Sequence, residues 1–291
     1  MKSRPIVIIT GCSYKPVGHV YRYKGSPSHD VISIDGKPHK MNIGTASAYV
    51  LAKKGVGVIL VSRTKDRLKK IKEGLVELGC KENLIGHIAA NVMTDRGVDS
   101  LIKQLPKNKT YYWLQSVGLG GGAYKVPHDN IYLPFEEISP EIIKAEMEVT
   151  VATHRMMLKL VPIFRKQIKN HQRAKIAIIT SMSGERGYHF GATHVAAKHA
   201  LVGYIKGIEK ELADESIETY DIRPGAIDTG MYDKPHVHNA IKELSLRGNN
   251  YAKNNNKPIY EHPIKVGKKV YEAFFSKKPK KVYRVLAPYQ T

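Results

Sequence analysis

The 291-residue chain has only two cysteines, Cys12 and Cys80, and a single tryptophan. Two thiols cannot build a disulfide framework, which argues against a secreted, cross-linked scaffold and leaves a reducing cytoplasm as the expected compartment. Acidic residues are also scarce, with 26 Asp and Glu against 47 Lys and Arg and a net charge of +21. No apolar run approaches the roughly 18 residues that a bilayer-spanning helix needs, so no membrane span is expected. The opening MKSRPIVIITG has an apolar stretch too short for a secretory signal and reads as a first buried strand.

The positive excess is compatible with nucleic acid, anionic lipid or an acidic ligand. Its distribution narrows the choice. The basic residues are scattered over Lys65–Lys72, Arg165–Lys175 and Lys277–Lys281 and lack the interleaved aromatics of a single-strand-binding surface. Solvated helix faces, with some charge serving a phosphorylated cofactor or substrate, are therefore expected rather than a nucleic-acid partner. The KKPKK run at 277–281 resembles a localisation signal, a pattern too common to decide anything.

With 42% hydrophobic and 25% charged residues, the composition is that of an ordinary globular protein. Short β-branched runs alternate with helix-period segments along nearly its whole length. Strands are expected at Ile6–Ile9, Val56–Ser62, Leu84–Ala89, Tyr111–Val117, Ile176–Thr180, Ile217–Ile222 and Tyr283–Leu286. Between them, Asp66–Leu78 reads as an amphipathic helix, and Ser139-Pro140-Glu141 opens a helix running towards Lys159. A third runs over Val195–Leu212, and His262-Pro263 opens a last one to Phe275. The pattern predicts one α/β domain over residues 1–291, a doubly wound parallel sheet of the Rossmann type.

The first strand ends in Thr10-Gly11-Cys12-Ser13, and Asn42-Ile43-Gly44-Thr45-Ala46-Ser47-Ala48 follows much later. Joined, the pieces resemble the TGxxxGxG turn and first helix of the short-chain dehydrogenase/reductase family, split by an insertion at 14–41. Glycines in such a turn admit a cofactor pyrophosphate, and the helix N-terminus supplies N–H groups and positive dipole. Asn42 takes the place of the second glycine. Inside the insertion, Asp35-Gly36 is a hairpin turn signal, and Tyr21 and Tyr23 alternate with Arg22 and Lys24. The expected element is a β-hairpin flap after the first strand, either a lid or oligomer contact or a surface decoration.

The resemblance extends through the chain. NAD-preferring members place an acidic residue where this chain has Ser62 and Arg63. An arginine there can pair with a 2′-phosphate, so NADP(H) is favoured over NAD(H), with Lys65 in reach to assist. Asn91-Val92 stands where the family has Asp-Val against the adenine. Gln115-Ser116-Val117-Gly118 replaces its NNAG motif and keeps only the glycine. Pro224-Gly225-Ala226-Ile227-Asp228-Thr229 resembles the turn that brackets the nicotinamide amide. In the helix after Ser139 the family often carries a proton-relaying asparagine; Glu148 and Val149 occupy the comparable positions. The resemblance implies Gly11, Ser13, Asn42, Ile43, Gly44, Ser62, Arg63, Asn91, Val92, Gly118, Lys198, Pro224, Gly225, Ile227 and Thr229 as cofactor-binding residues.

The catalytic expectation rests on spacing. Ser181 precedes His194 by 13 residues and His194 precedes Lys198 by 4, which places the last two on one helix face. This matches the family's Ser…Tyr-x-x-x-Lys, with histidine in place of tyrosine. The resemblance implies that Ser181 hydrogen-bonds the substrate oxygen and Lys198 binds the nicotinamide ribose, while His194 stands where the proton is donated. Lys198 and a cationic nicotinamide would both disfavour imidazolium. Three readings stay open: an acid or oxyanion donor at His194, a conjugate reductase using Ser181 and His194 as donors, and a catalytically silent NADP(H)-binding or sensing protein. Tyr188 is a fallback acid. His236 and His238 have no acidic or cysteine partners at ligand spacing, so no metal is expected. A small-molecule substrate is expected over a polar loop at 233–257. The resemblance also implies a homodimer or homotetramer through helices at 140–160 and 193–212.

Overall fold

A computed structural model of the chain describes residues 4–17, 31–118, 134–230 and 260–287. The β-branched runs become strands because a strand buried on both faces needs apolar side chains at every position. They are β1 (Ile6–Thr10), β5 (Gly57–Ser62), β6 (Ile85–Ala89), β7 (Tyr111–Gln115), β8 (Ala174–Ile179), β9 (Ile217–Pro224) and β10 (Val282–Val285). These strands form one seven-stranded sheet in the order β10-β9-β8-β7-β1-β5-β6. Every pairing in it is parallel. The order reverses beside β1, and the carboxyl ends of β1 and β7 flank the resulting crevice, where such sheets bind ligands.

Side-chain alternation divides the core into two layers. Val7 and Ile9 of β1 face a layer that includes side chains of α1 (Ile43–Lys53), α2 (Lys65–Glu77) and α6 (Pro263–Phe275). Ile8 faces the opposite layer, with α3 (Asp95–Gln104), α4 (Pro140–Lys169) and α5 (Ala192–Asp214). Trp113 of β7 is fully buried, and its indole N–H donates to Thr10 Oγ1 at 3.2 Å. A Cβ at Gly267 would lie 2.9 Å from the Ala46 carbonyl oxygen, so that glycine allows α6 to approach α1.

The α4 helix exceeds expectation. It continues through Pro162 to Lys169 rather than stopping near Lys159. Pro162 and Leu158 share an exposed face, so the carbonyl that loses its N–H partner lies towards solvent, where water can satisfy it.

Within the insertion, β2 (Tyr14–Pro16), β3 (Val31–Ile34) and β4 (Lys37–Met41) form a second, antiparallel sheet in the order β2-β4-β3. Asp35 and Gly36 both have positive φ, 52° and 73°, as a tight two-residue hairpin turn demands. Ile32, Ile34 and Met41 are buried in the same layer as Leu68, Ile71 and Leu75 of α2. A Cβ at Gly74 would lie 2.8 Å from the Ser33 carbonyl oxygen, so this mid-helix glycine lets the hairpin backbone settle on α2. The described part of the insertion is thus a third layer over α2. Tyr21, Arg22, Tyr23 and Lys24 lie outside the described residues, as do His236, His238 and the loop at 233–257.

Candidate active site

The residues singled out in the sequence converge on the carboxyl edge of the sheet. Gly11 follows β1 with φ 91°, and a Cβ there would lie 2.4 Å from the Ser116 carbonyl oxygen. Only glycine fits that turn without strain. Asn42 has become the N-cap of α1: its Oδ1 accepts from Thr45 N at 2.9 Å and Ser13 N at 3.1 Å. Its amide donates to the Gly11 carbonyl at 2.6 Å. Ile43 and Gly44, the first two residues of the helix, have N–H groups with no intrahelical acceptor.

At the end of β5, Ser62 Oγ is buried without a hydrogen-bond partner, and Arg63 beside it is exposed. Arg67, unremarked in the sequence, reaches back from α2 to donate to Ser13 Oγ at 2.9 Å and lies over the Tyr14 ring. In the sequence it is one more basic residue of the Lys65–Lys72 run, four positions after Arg63. Asn91 turns its Oδ1 inward to accept from Met93 N at 3.2 Å, and Val92 is buried in the layer of α3 and α4. Gly118 is exposed at the edge beyond β7. Past β9, Gly225 N donates to Val285 O at 2.8 Å, and Ile227, Asp228 and Thr229 are buried.

These features suit a phosphorylated dinucleotide. Open N–H groups at the α1 N-terminus face anions well, an orphaned Ser62 hydroxyl suits a ribose, and Arg63 and Arg67 supply the cations.

Ser181 stands two residues past the end of β8 and caps a short 3-10 turn, accepting from Ser183 N at 3.1 Å. Its single hydroxyl proton has two acceptors in reach, Ser183 Oγ at 3.1 Å and Pro224 O at 3.4 Å. A Cβ at Gly184 would lie 2.9 Å from the Lys198 carbonyl oxygen, so this glycine seats the serine turn directly on α5. His194 and Lys198 stand one helical turn apart on that helix. The Tyr188 ring lies on Gly191 and edge-on to His194, with ring centroids 6.4 Å apart.

Burial pushes the Lys198 ammonium below its ordinary range, partly offset by the Glu146 and Asp221 carboxylates. Burial likewise pushes His194 down; Glu146 works against that shift and Lys198 with it. Glu146 is the second residue that sequence reasoning missed. Its Oε2 lies 3.7 Å from His194 Nδ1, an ion-pair separation that is too long for a hydrogen bond, and that nitrogen has no hydrogen-bond partner. The sequence pointed instead to Glu148 and Val149. Glu148 is bound by Arg155, whose Nη1 lies 2.5 Å from Glu148 Oε1, and Val149 is in the core. Two residues turn a helix by about 200°, so 146 and 148 occupy opposite sides of α4.

An α/β sheet with converging polar groups at its carboxyl edge has the architecture of a nucleotide-binding fold. Residues 40–238, more than half of the chain, match the short chain dehydrogenase family, and the chain belongs to it. It is 24% identical over 191 residues to a 3-oxoacyl-[acyl-carrier-protein] reductase of Aquifex aeolicus, covering 65% of this chain and 71% of that protein. Among solved structures, L-sorbose reductase from Gluconobacter frateurii, complexed with NADPH and L-sorbose, superposes with a TM-score of 0.67 at 20% identity. That alignment covers 98% of this chain and 96% of the other. An NADPH-bound short chain oxidoreductase from Pseudomonas aeruginosa PAO1, described as containing an atypical catalytic centre, gives a TM-score of 0.69 at 13% identity, covering 99% and 98%. No helix among the described residues is long and apolar enough to cross a membrane.

Proposed function

We propose that the protein is an NADP(H)-dependent reductase that acts on a carbonyl or a conjugated C=C of a small molecule, with Ser181, His194 and Lys198 at its site. The observation that carries this reading is the Glu146–His194–Lys198 arrangement on α4 and α5, with Glu146 and Lys198 buried, His194 half-buried and the Ser181 turn seated against α5. A bound nicotinamide supplies the hydride. Ser181 orients the substrate oxygen, Lys198 holds the ribose, and His194 donates to the oxygen as a proton or as a hydrogen bond. Burial works against a protonated His194 and favours conjugate reduction, in which the oxygen needs hydrogen bonds and water completes protonation. Arg63 and Arg67 support NADP(H) over NAD(H), since both can pair with a phosphate. The NADPH complexes among the structural neighbours and the 3-oxoacyl reductase relative support the same reading.

Ile143, Val151 and Leu158 lie on one exposed face of α4 and support a homodimer or homotetramer through that helix. The free, buried thiols of Cys12 and Cys80 support a reducing compartment such as the cytoplasm.

The test is NADPH oxidation by purified protein against a panel of ketones, aldehydes, enones and enals. Turnover should fall on His194→Ala, and His194→Tyr should raise ketone reduction near neutral pH. Turnover indifferent to His194→Ala would remove the histidine from the chemistry. NADPH binding with no turnover on any substrate would favour a cofactor-sensing protein.

A further inference from the structure

Glu146 is buried to 8% exposure at a position that no sequence pattern marked. A buried carboxylate is costly unless a cation or hydrogen-bond donor accompanies it. The groups that face it here are both basic residues of α5: His194, with Nδ1 at 3.7 Å from Glu146 Oε2, and Lys198, whose charge it stabilises. Arg155, the nearby cation on α4 itself, is engaged by Glu148 and Asp95.

We propose that Glu146 is the positioning residue of His194: its carboxylate, 3.7 Å away, attracts the Nδ1–H side of the ring and so leaves Nε2, which carries a proton only in the imidazolium, turned to the substrate oxygen. The inference rests on the reductase reading above. In the reaction, the substrate carbon receives the two electrons and hydrogen that the reduced cofactor supplies, and the oxygen takes the proton from Nε2. His194 is left neutral with its remaining proton on Nδ1 against Glu146, and solvent restores the proton at Nε2. Without Glu146, a neutral His194 would be free to place its proton on either nitrogen.

Four charged or titratable groups set this balance. Glu146 of α4 favours imidazolium, and Lys198 of α5 opposes it. Tyr188, before α5, lies edge-on to the ring, and Asp221 of β9 partly offsets Lys198. Imidazolium is present below the His194 pKa and is lost as pH rises through it. Removing the Glu146 charge lowers that pKa, so proton donation is lost at lower pH.

The test uses NMR of imidazole nitrogens in the cofactor-free protein, with His194→Asn identifying the His194 signal among the 13 histidines. In the wild type, neutral His194 should carry its proton on Nδ1. In Glu146→Gln, the His194 titration should fall by about 1–3 pH units, the range for loss of an opposite charge within ~4–6 Å. The alkaline limb of reductase turnover should fall with it, and Glu146→Asp should keep most of both. A neutral His194 protonated on Nε2 in the wild type overturns the proposal. So does an unchanged titration in Glu146→Gln. The tautomer measurement needs no variant at Glu146, so poor folding of Glu146→Gln leaves it decisive. Coupling seen by NMR without any NADPH turnover would uphold the Glu146–His194 pairing and overturn the reductase reading.

Discussion

Replacing Lys40 with methionine removes the cation from an ion pair that ties the insertion to the far side of the site. Lys40 Nζ on β4 lies 2.6 Å from Asp228 Oδ1 in the turn after β9, and the two side chains are only 8% and 9% exposed. At an effective dielectric constant of about 20, the gross attraction at 2.6 Å is about 6 kcal/mol. Leaving one partner of such a pair buried alone costs about 3–5 kcal/mol. Unfolding entropy of about 2.1 cal/mol/K per residue over 291 residues makes 1 kcal/mol worth about 1.6 °C, so Lys40→Met should lower Tm by about 5–8 °C. The assay is thermal unfolding followed by circular dichroism, with urea midpoints in parallel. Lys70→Met serves as control, because the Lys70–Asp35 pair at the hairpin turn is exposed and screened by solvent. The double variant Lys40→Met/Asp228→Leu should regain most of the loss, since neither charge is left alone. If Lys40→Met costs no more than Lys70→Met, the buried pair does not fasten the hairpin.

Arg63→Ala/Arg67→Ala should weaken NADPH binding by about 10- to 100-fold, the loss of a charge-assisted contact of about 1.5–3 kcal/mol, while NADH affinity changes little. Calorimetric titration measures both, and equal losses would refute the phosphate role. Cys12, Tyr111 and Tyr112 are each pushed by burial up to about 12, from ordinary values of 9.0 for the thiol and 10.0 for the phenols. The folded state therefore holds these protons more tightly, and the stability they contribute is complete below pH 9.0 and lost as pH rises towards about 12. Urea midpoints flat across that window would contradict it. Leu158, 58% exposed on α4, should on substitution by lysine convert an oligomer to a smaller species by light scattering; an unchanged mass would remove this face from the interface.

Much of the sheet was legible because buried parallel strands announce themselves as β-branched runs, and boundaries moved by only a residue or two. The Asp35-Gly36 turn was readable for the same local reason: a two-residue hairpin needs positive φ at both positions. The His194–Lys198 relation was fixed by helix periodicity alone. What escaped was set by tertiary geometry. Lys40 and Asp228 are 188 residues apart and meet only because the hairpin folds towards the turn after β9. Arg67 matters through its reach from α2 to Ser13. Glu146 went unmarked because the resemblance supplied only the comparable positions Glu148 and Val149, where the relay is absent or altered, and not which face of α4 meets His194. The end of α4 was also not legible: the helix runs on through Pro162, whose solvent-facing position lets it continue to Lys169.

The split in the glycine turn has a physical resolution that also accounts for Asn42. An excursion between β1 and α1 would displace the helix N-terminus unless its two ends were held together. Tyr14 pairs with Met41, so β2 and β4 enter and leave side by side. Asn42 N donates to Ser13 O at 3.2 Å, Ser13 N returns to Asn42 Oδ1 at 3.1 Å, and Thr45 Oγ1 donates to Ser13 O at 2.8 Å. A glycine at 42 could make the first of these contacts but none through a side chain. Asparagine therefore does three things at once: it caps α1, clasps Ser13 and fastens the Gly11 carbonyl through its amide. The clasp uses up the Thr45 and Ser13 N–H groups but leaves those of Ile43 and Gly44 at the helix start. An anion at this turn thus has the α1 N-terminus to bind, with Arg67 close by across Ser13. The insertion and the departure at the second glycine are in this sense one change, and Asn42→Gly should loosen α1 even though it restores the family's residue.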